Sequence, residues 1–164
     1  MDLNISPQSI SGVLWSSMIY IAHRGNINGS SSEFENSPGY LEEAINRRYH
    51  VEVDVWLKKG EFWLGHDKPQ YKVDSDFLDR PQVWCHAKNI EALASLLRIN
   101  TNCFWHQNDD VVLTSRGYLW TSPGKYITKK SIAVLPETVN GWDISMCYGI
   151  CSDYVEKLRG HRQT

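Results

Sequence analysis

The sequence predicts one α/β domain built on a parallel sheet or barrel. Three observations carry this. Short strand-like apolar runs alternate with short amphipathic helical stretches. Residues 51–57 alternate cleanly, so that strand has two chemically distinct faces. Polar residues capable of chemistry sit at or just beyond the ends of the apolar runs, where a barrel's C-terminal face collects its site. The 164 residues are one domain's worth of chain, long enough for a real core. Residues 1–12 read as a loose polar arm and residues 13–164 as the domain.

The elements follow in order. Residues 14–22 read as a buried strand and residues 26–32 as a Gly-, Ser- and Asn-rich loop. Ser37 caps a helix whose first turn holds Pro38. Leu41, Ala44 and Ile45 form its apolar face, and Arg47-Arg48 suits its C-terminus. In residues 51–57, Val51, Val53, Val55 and Leu57 face one way, and Glu52, Asp54 and Trp56 the other. A turn at Lys58-Lys59-Gly60-Glu61 returns the chain as a strand through residues 62–66, which brings His66 back over Glu52 and Asp54. Residues 83–88 form the next strand. Asn89 caps a helix carrying Ile90, Leu93, Ala94 and Leu97 at i, i+3, i+4 and i+7. Strands follow at 101–106, at 111–114 and 118–121 around Ser115-Arg116-Gly117, and at 131–135 and 146–151. Residues 154–159 close the chain as a short helix.

The bulk composition excludes some functions. With 17 basic and 19 acidic residues, the formal charge of −2 leaves no basic footprint for nucleic acid. No run is long and apolar enough to span a membrane, and no basic residue precedes Arg24, so a signal-peptide n-region is missing. A cytoplasmic protein is expected. Cys85, Cys103, Cys147 and Cys151 form no Cys-x-x-Cys pair and read as reduced structural thiols, with a disulfide as the alternative.

Four segments carry the chemistry: Ile21-Ala22-His23-Arg24-Gly25, Glu35-Asn36-Ser37-Pro38, Glu52-Val53-Asp54-Val55 and Gly65-His66-Asp67. Glu52 and Asp54, two apart in a strand, share a side. Two buried carboxylates repel unless a cation joins them, and oxygen ligands suit Mg²⁺, Ca²⁺ or Mn²⁺. By spacing alone the pair also fits a solvated acidic face. Histidine can give or take a proton near neutral pH, and arginine can grip phosphate with a two-pronged fork. The combination suits metal-assisted cleavage of a phosphodiester. His106, Trp56, Trp105, Trp120 and Asp153, at or near strand ends, are expected to line the same mouth.

The ordered set His-Arg-Gly, Glu-Asn, Glu-x-Asp-Val and His-Asp is similar to the glycerophosphodiester phosphodiesterase family, within the phosphatidylinositol-phospholipase-C-like superfamily. The resemblance covers residues 21–67, with a weaker echo at residues 149–154. Residues 70–136 match by position only. It implies a TIM-like (β/α) barrel. Eightfold barrels usually need about 250 residues, so this one must be compact and trimmed, and a homodimer would cover a face left bare of helices. It implies His23 and His66 as general acid and base, Arg24 and Lys88 on the phosphate, Glu52 and Asp54 on the metal, and Glu35 either on the metal or orienting Arg24. The chain departs from the family at His86-Ala87-Lys88, where the family carries Glu-x-Lys. His86 then replaces a glutamate ligand, which admits Mn²⁺ or Zn²⁺ beside the expected Mg²⁺ or Ca²⁺. The implied activity is hydrolysis of a small glycerophosphodiester-like substrate. The alternatives are a phospholyase releasing a cyclic phosphate and a non-catalytic phosphodiester-binding module.

Overall fold

The computed structural model describes residues 18–161. The predicted arm at 1–12 and the start of the first predicted strand lie outside them. Among the described residues the chain forms strands β1 (Ile19–His23), β2 (His50–Lys58), β3 (Glu61–Leu64), β4 (Tyr71–Val73), β5 (Val83–Ala87), β6 (Cys103–Phe104), β7 (Val111–Leu113), β8 (Leu119–Thr121), β9 (Ser131–Val134) and β10 (Gly149–Ser152). The helices are α1 (Pro38–Asn46), α2 (Ser75–Leu78), α3 (Ile90–Arg98) and α4 (Val155–His161).

The TIM-like barrel expected from the resemblance is not what forms. The strands make one mixed sheet curled into a half-barrel. Its parallel part runs β6-β5-β2-β1-β10-β9-β8. β7 adds antiparallel to β8, and the β3–β4 hairpin adds antiparallel to the far end of β2. No ladder joins β6 to β7, so the sheet stays open there. Isolated hydrogen bonds reach across instead: Ser115 N–H to the Cys103 carbonyl (2.8 Å), Cys103 N–H to Ser115 Oγ (2.9 Å), Ser115 Oγ to the Thr101 carbonyl (2.8 Å), and the Arg116 guanidinium to the Asn100 carbonyl. The physical reason is the shortage of helix. A closed barrel needs a helix behind nearly every strand to cover its outer face. Here β8 to β9 crosses without one, and β9 to β10 has only a 3-10 turn at Pro136–Thr138.

The two faces of β2 separate as their chemistry dictates. Val51, Val53 and Val55 pack outward with Leu41 and Ala44 of α1 and Ala92 and Leu96 of α3. Asn89 caps α3 by accepting from the Ala92 N–H (3.2 Å). The concave side is filled by Ile21, Trp84, Phe104, Trp120, Ile132 and Cys151, which floor the candidate site above them. All four cysteines are buried and unbridged. Burial pushes the Cys85 and Cys151 thiols well up, so they stay protonated. No described helix is long and apolar enough to cross a membrane. No expectation from the sequence covers β4 and α2, where polar and charged residues (Lys72, Asp74, Ser75, Asp76) break up the apolar ones.

Candidate active site

Sheet register assembles the site. β1 and β2 pair His23 with Glu52, and β2 and β5 pair Asp54 with His86. Side chains from adjacent parallel strands therefore meet at the strands' C-terminal ends. β10 pairs Ser152 with Ala22, which sets Asp153 beside His23. The hairpin returns His66: Trp56 matches Trp63 across β2 and β3, and Gly65 N–H bonds the Asp54 carbonyl (3.1 Å).

Asp54 is the hub, and it is fully buried. Its Oδ2 accepts from Asn36 Nδ2 (3.0 Å), lies 3.2 Å from His66 Nδ1 and contacts Arg24 Nε at 3.2 Å. The Asp54 N–H donates back to Asn36 Oδ1 (2.9 Å). Its Oδ1 lies 3.1 Å from His86 Nδ1 and 3.4 Å from Lys88 Nζ, yet receives no aligned hydrogen bond. Burial opposes the charge of Asp54. The facing His66 and His86 imidazoles, with Arg24 and Lys88, outweigh it and hold the carboxyl well below the usual range. Glu52 goes the other way. It is buried, and the Asp54 charge beside it raises its pKa further. It accepts from the Arg24 backbone N–H (3.2 Å) and lies 3.8 Å from His86 Nδ1.

Glu52, Asp54 and His86 each offer one ligand atom within 4.8 Å of the others, so these three side chains can hold a metal ion. Glu35, expected either on the metal or on Arg24, is found on Arg24. Its Oε2 accepts from Arg24 (3.1 Å) and its Oε1 from Asn26 (2.9 Å), so it anchors the arginine.

His23 Nδ1 donates to Asp153 Oδ1 (2.8 Å), and its Nε2 faces Glu52 at 3.9 Å. Burial works against its charge, but the bond to Asp153 and the nearby Glu52 prevail and raise its pKa. Arg24 follows His23 in the chain, and its side chain reaches the second expected proton carrier, His66. Its NH2 is 3.4 Å from His66 Nε2. Its backbone is left-handed (φ 52°), a costly conformation that the turn after β1 imposes.

The remaining expected residues divide. Lys88 and Asp153 reach the cluster. His106 stacks on His86 (centroids 4.3 Å apart, planes 9° apart). Trp56 braces the hairpin, donating from Nε1 to the Gly65 carbonyl (2.7 Å). Trp105 packs against the outer core, on the helix side. Trp120 stacks on Phe104 in the floor (4.4 Å). Sequence reasoning gave no role to Asn26 and Asn36, both fully buried. Asn26 Nδ2 ties Glu35 to Asp153, with 2.8 Å to the latter. Asparagines within Gly-rich and pre-helical loops read simply as turn residues.

A cleft of about 220 Å³ opens beside the cluster, lined by Arg24, Glu35, Asn36 and His66. A larger cavity of about 440 Å³ lies at the opposite ends of the strands, walled by Trp84, Tyr118 and Tyr148, and no candidate residue lines it. The smaller space is the one that Arg24, Glu35 and His66 line. Comparison of the chain with protein-family models, with curated proteins and with solved structures finds no match in any of the three.

Proposed function

We propose that this protein is a metal-dependent phosphodiesterase acting on a small, glycerophosphodiester-like substrate. One observation carries the reading: two imidazoles, each held by its own carboxylate, stand in one cluster with an arginine. Asp153 holds His23 at 2.8 Å, Asp54 holds His66 at 3.2 Å, and Arg24 NH2 reaches His66 Nε2 at 3.4 Å. Phosphodiester cleavage needs a proton taken from the attacking oxygen and one delivered to the leaving oxygen. The arginine of the cluster grips the non-bridging phosphate oxygens.

His23, whose pKa is raised, serves as the proton donor to the leaving oxygen. His66, half exposed at the edge of the cleft, takes the proton from the attacking hydroxyl. Asp54 and Asp153 hold the rings in the orientations these transfers need. Lys88 adds a second cation for the phosphate. Glu52, Asp54 and His86 would hold a divalent ion, which when bound would supply positive charge for the phosphate. The cleft's small volume favours a compact alcohol diester over a large headgroup.

The test is hydrolysis of glycerophosphocholine and of bis-p-nitrophenyl phosphate by metal-free protein, with divalent ions added back singly. Metal-dependent turnover that His23→Ala abolishes supports the reading. Diester binding without turnover under every ion replaces it with a binding module. A persistent cyclic ester in phosphorus NMR replaces the hydrolase with a lyase.

A further inference from the structure

We infer that the Glu52–Asp54–His86 cluster selects a first-row transition ion, Zn²⁺ or Co²⁺ before Mn²⁺, over Mg²⁺ and Ca²⁺, through a nitrogen ligand from His86 that His106 keeps in place. The inference rests on the metal cluster of the phosphodiesterase reading, and it does not depend on which bond is cleaved.

The first support is where the nitrogen lies. His86 Nδ1 is 3.1 Å from Asp54 Oδ1 and 3.8 Å from Glu52 Oε1. Ligand atoms around an ion bound at about 2.1 Å stand roughly 3.0–3.4 Å apart, for right-angled to tetrahedral arrangements. The Asp54–His86 spacing already falls in that range, and a small movement of the Glu52 side chain brings in the third donor.

The second support is an orphaned atom. Asp54 is fully buried, yet its Oδ1 lacks an aligned hydrogen-bond partner. Leaving a buried carboxylate oxygen unsatisfied is costly. An ion on that oxygen removes the cost.

The third support is the stack. The His86 ring lies parallel to His106 (4.3 Å, 9°) and to Phe104 (5.3 Å, 5°). The neighbouring rings resist its rotation, so Nδ1 stays aimed at the carboxylates. Each ring comes from the C-terminal end of its strand or the loop just after it, so the stack is built by the sheet itself.

The donor chemistry then decides the ion. Two carboxylates and an imidazole supply few oxygens. Ca²⁺ takes about six to eight oxygen ligands, and Mg²⁺ prefers carboxylate, phosphate and water. Imidazole raises affinity along the first-row series instead.

The test uses the full chain, dialysed free of metal. Calorimetric titrations measure affinity for Mn²⁺, Co²⁺, Zn²⁺, Mg²⁺ and Ca²⁺, and pulsed paramagnetic resonance of bound Mn²⁺ reads nitrogen coupling. The three transition ions are expected to bind at least tenfold more tightly than Mg²⁺ or Ca²⁺, Zn²⁺ and Co²⁺ before Mn²⁺, and bound Mn²⁺ to show a histidine nitrogen. His86→Glu should erase that coupling and narrow the preference. His86→Gln, neutral and close in size, should erase it as well. His106→Ala should weaken Mn²⁺ binding several-fold, and His106→Phe, which keeps a stacked ring, should restore it. Mg²⁺ or Ca²⁺ binding as tightly as Mn²⁺, or bound Mn²⁺ without nitrogen coupling, overturns the inference. Equal weakening by both His106 variants overturns the positioning role. Turnover in Mg²⁺ without a nitrogen signal would sink this inference and leave the phosphodiesterase. A nitrogen-ligated ion without turnover would do the reverse.

Discussion

Asp153 holds His23 through Nδ1 at 2.8 Å, across 130 residues of chain. The pairing turns the other ring nitrogen toward Glu52, 3.9 Å away. Asp153 is itself fixed from two sides. Asn26 donates to its Oδ1, and its backbone N–H donates to Glu137 Oε1 (2.9 Å). Asp153→Asn keeps the shape and removes the charge that raises the His23 pKa. If His23 must be protonated to act, activity falls on the alkaline side as it loses its proton. That limb should move to lower pH in Asp153→Asn, with kcat down by about 10–100-fold. A pH–rate profile decides it, and an unmoved limb would remove His23 as the proton donor.

The same pair sets a pH window for stability. The His23 pKa is raised, so its contribution is full below its ordinary value of 6.5 and is lost as pH rises through the raised value. The Asp153 pKa is lowered by His23 and Asn26 despite burial. Its contribution is therefore present above the ordinary 3.8 and lost as pH falls through the lowered value. Between those two ordinary values both are in force. Wild type should exceed Asp153→Asn in Tm by a few degrees there, and the gap should close as pH climbs past neutrality. Calorimetric scans of both proteins across pH would reveal a flat gap if the pairing contributes nothing.

The two carboxylates of β2 should respond oppositely to neutralisation in the metal-free protein. The raised pKa of Glu52 means that its ionised form strains the fold at neutral pH. Glu52→Gln should therefore raise the Tm of the metal-free protein while weakening metal binding. Asp54→Ala strands Arg24, Lys88 and two histidines around an empty place. Breaking a buried ionic partner costs about 3–5 kcal/mol. Thermal melts in chelator separate the outcomes, and a loss of stability in Glu52→Gln would contradict the repulsion.

Gly65 positions His66. Its φ is 146°, and a Cβ there would lie 2.2 Å from the Lys68 carbonyl oxygen. Gly65→Ala should cost about 2 kcal/mol or more and displace the next residue, His66. Turnover should fall more than stability alone explains. Full activity in a folded Gly65→Ala protein would show that His66 is not needed where it stands.

Much of the site was legible because it is local. His23-Arg24, Glu52-x-Asp54 and His66 lie at strand ends that the alternation in residues 51–57 and its apolar neighbours already marked. A period of two places Glu52 and Asp54 on one side whatever the rest of the chain does. The same reasoning placed α1, α3 and the β2–β3 hairpin. Architecture was not legible in this way. Whether a curled parallel sheet closes depends on the helices behind it and on pairing between strands far apart in the chain, and neither leaves a local pattern. The resemblance implied a trimmed TIM-like barrel, with helices shortened or the barrel incomplete; the chain instead forms a mixed sheet curled into a half-barrel, with no ladder between β6 and β7.

By itself the sequence determined the residue types at the strand ends and the two-faced strand that carries the carboxylates. Only the tertiary structure decided their partners. Register between β2 and β5 set His86 against Asp54, and register between β1 and β10 set Asp153 against His23. The turn before α1 spent Glu35 on Arg24 and Asn26 instead of on a metal. Alternation along a strand is a local steric property of the backbone. Contact between strands depends on long-range pairing, which the whole sheet settles at once.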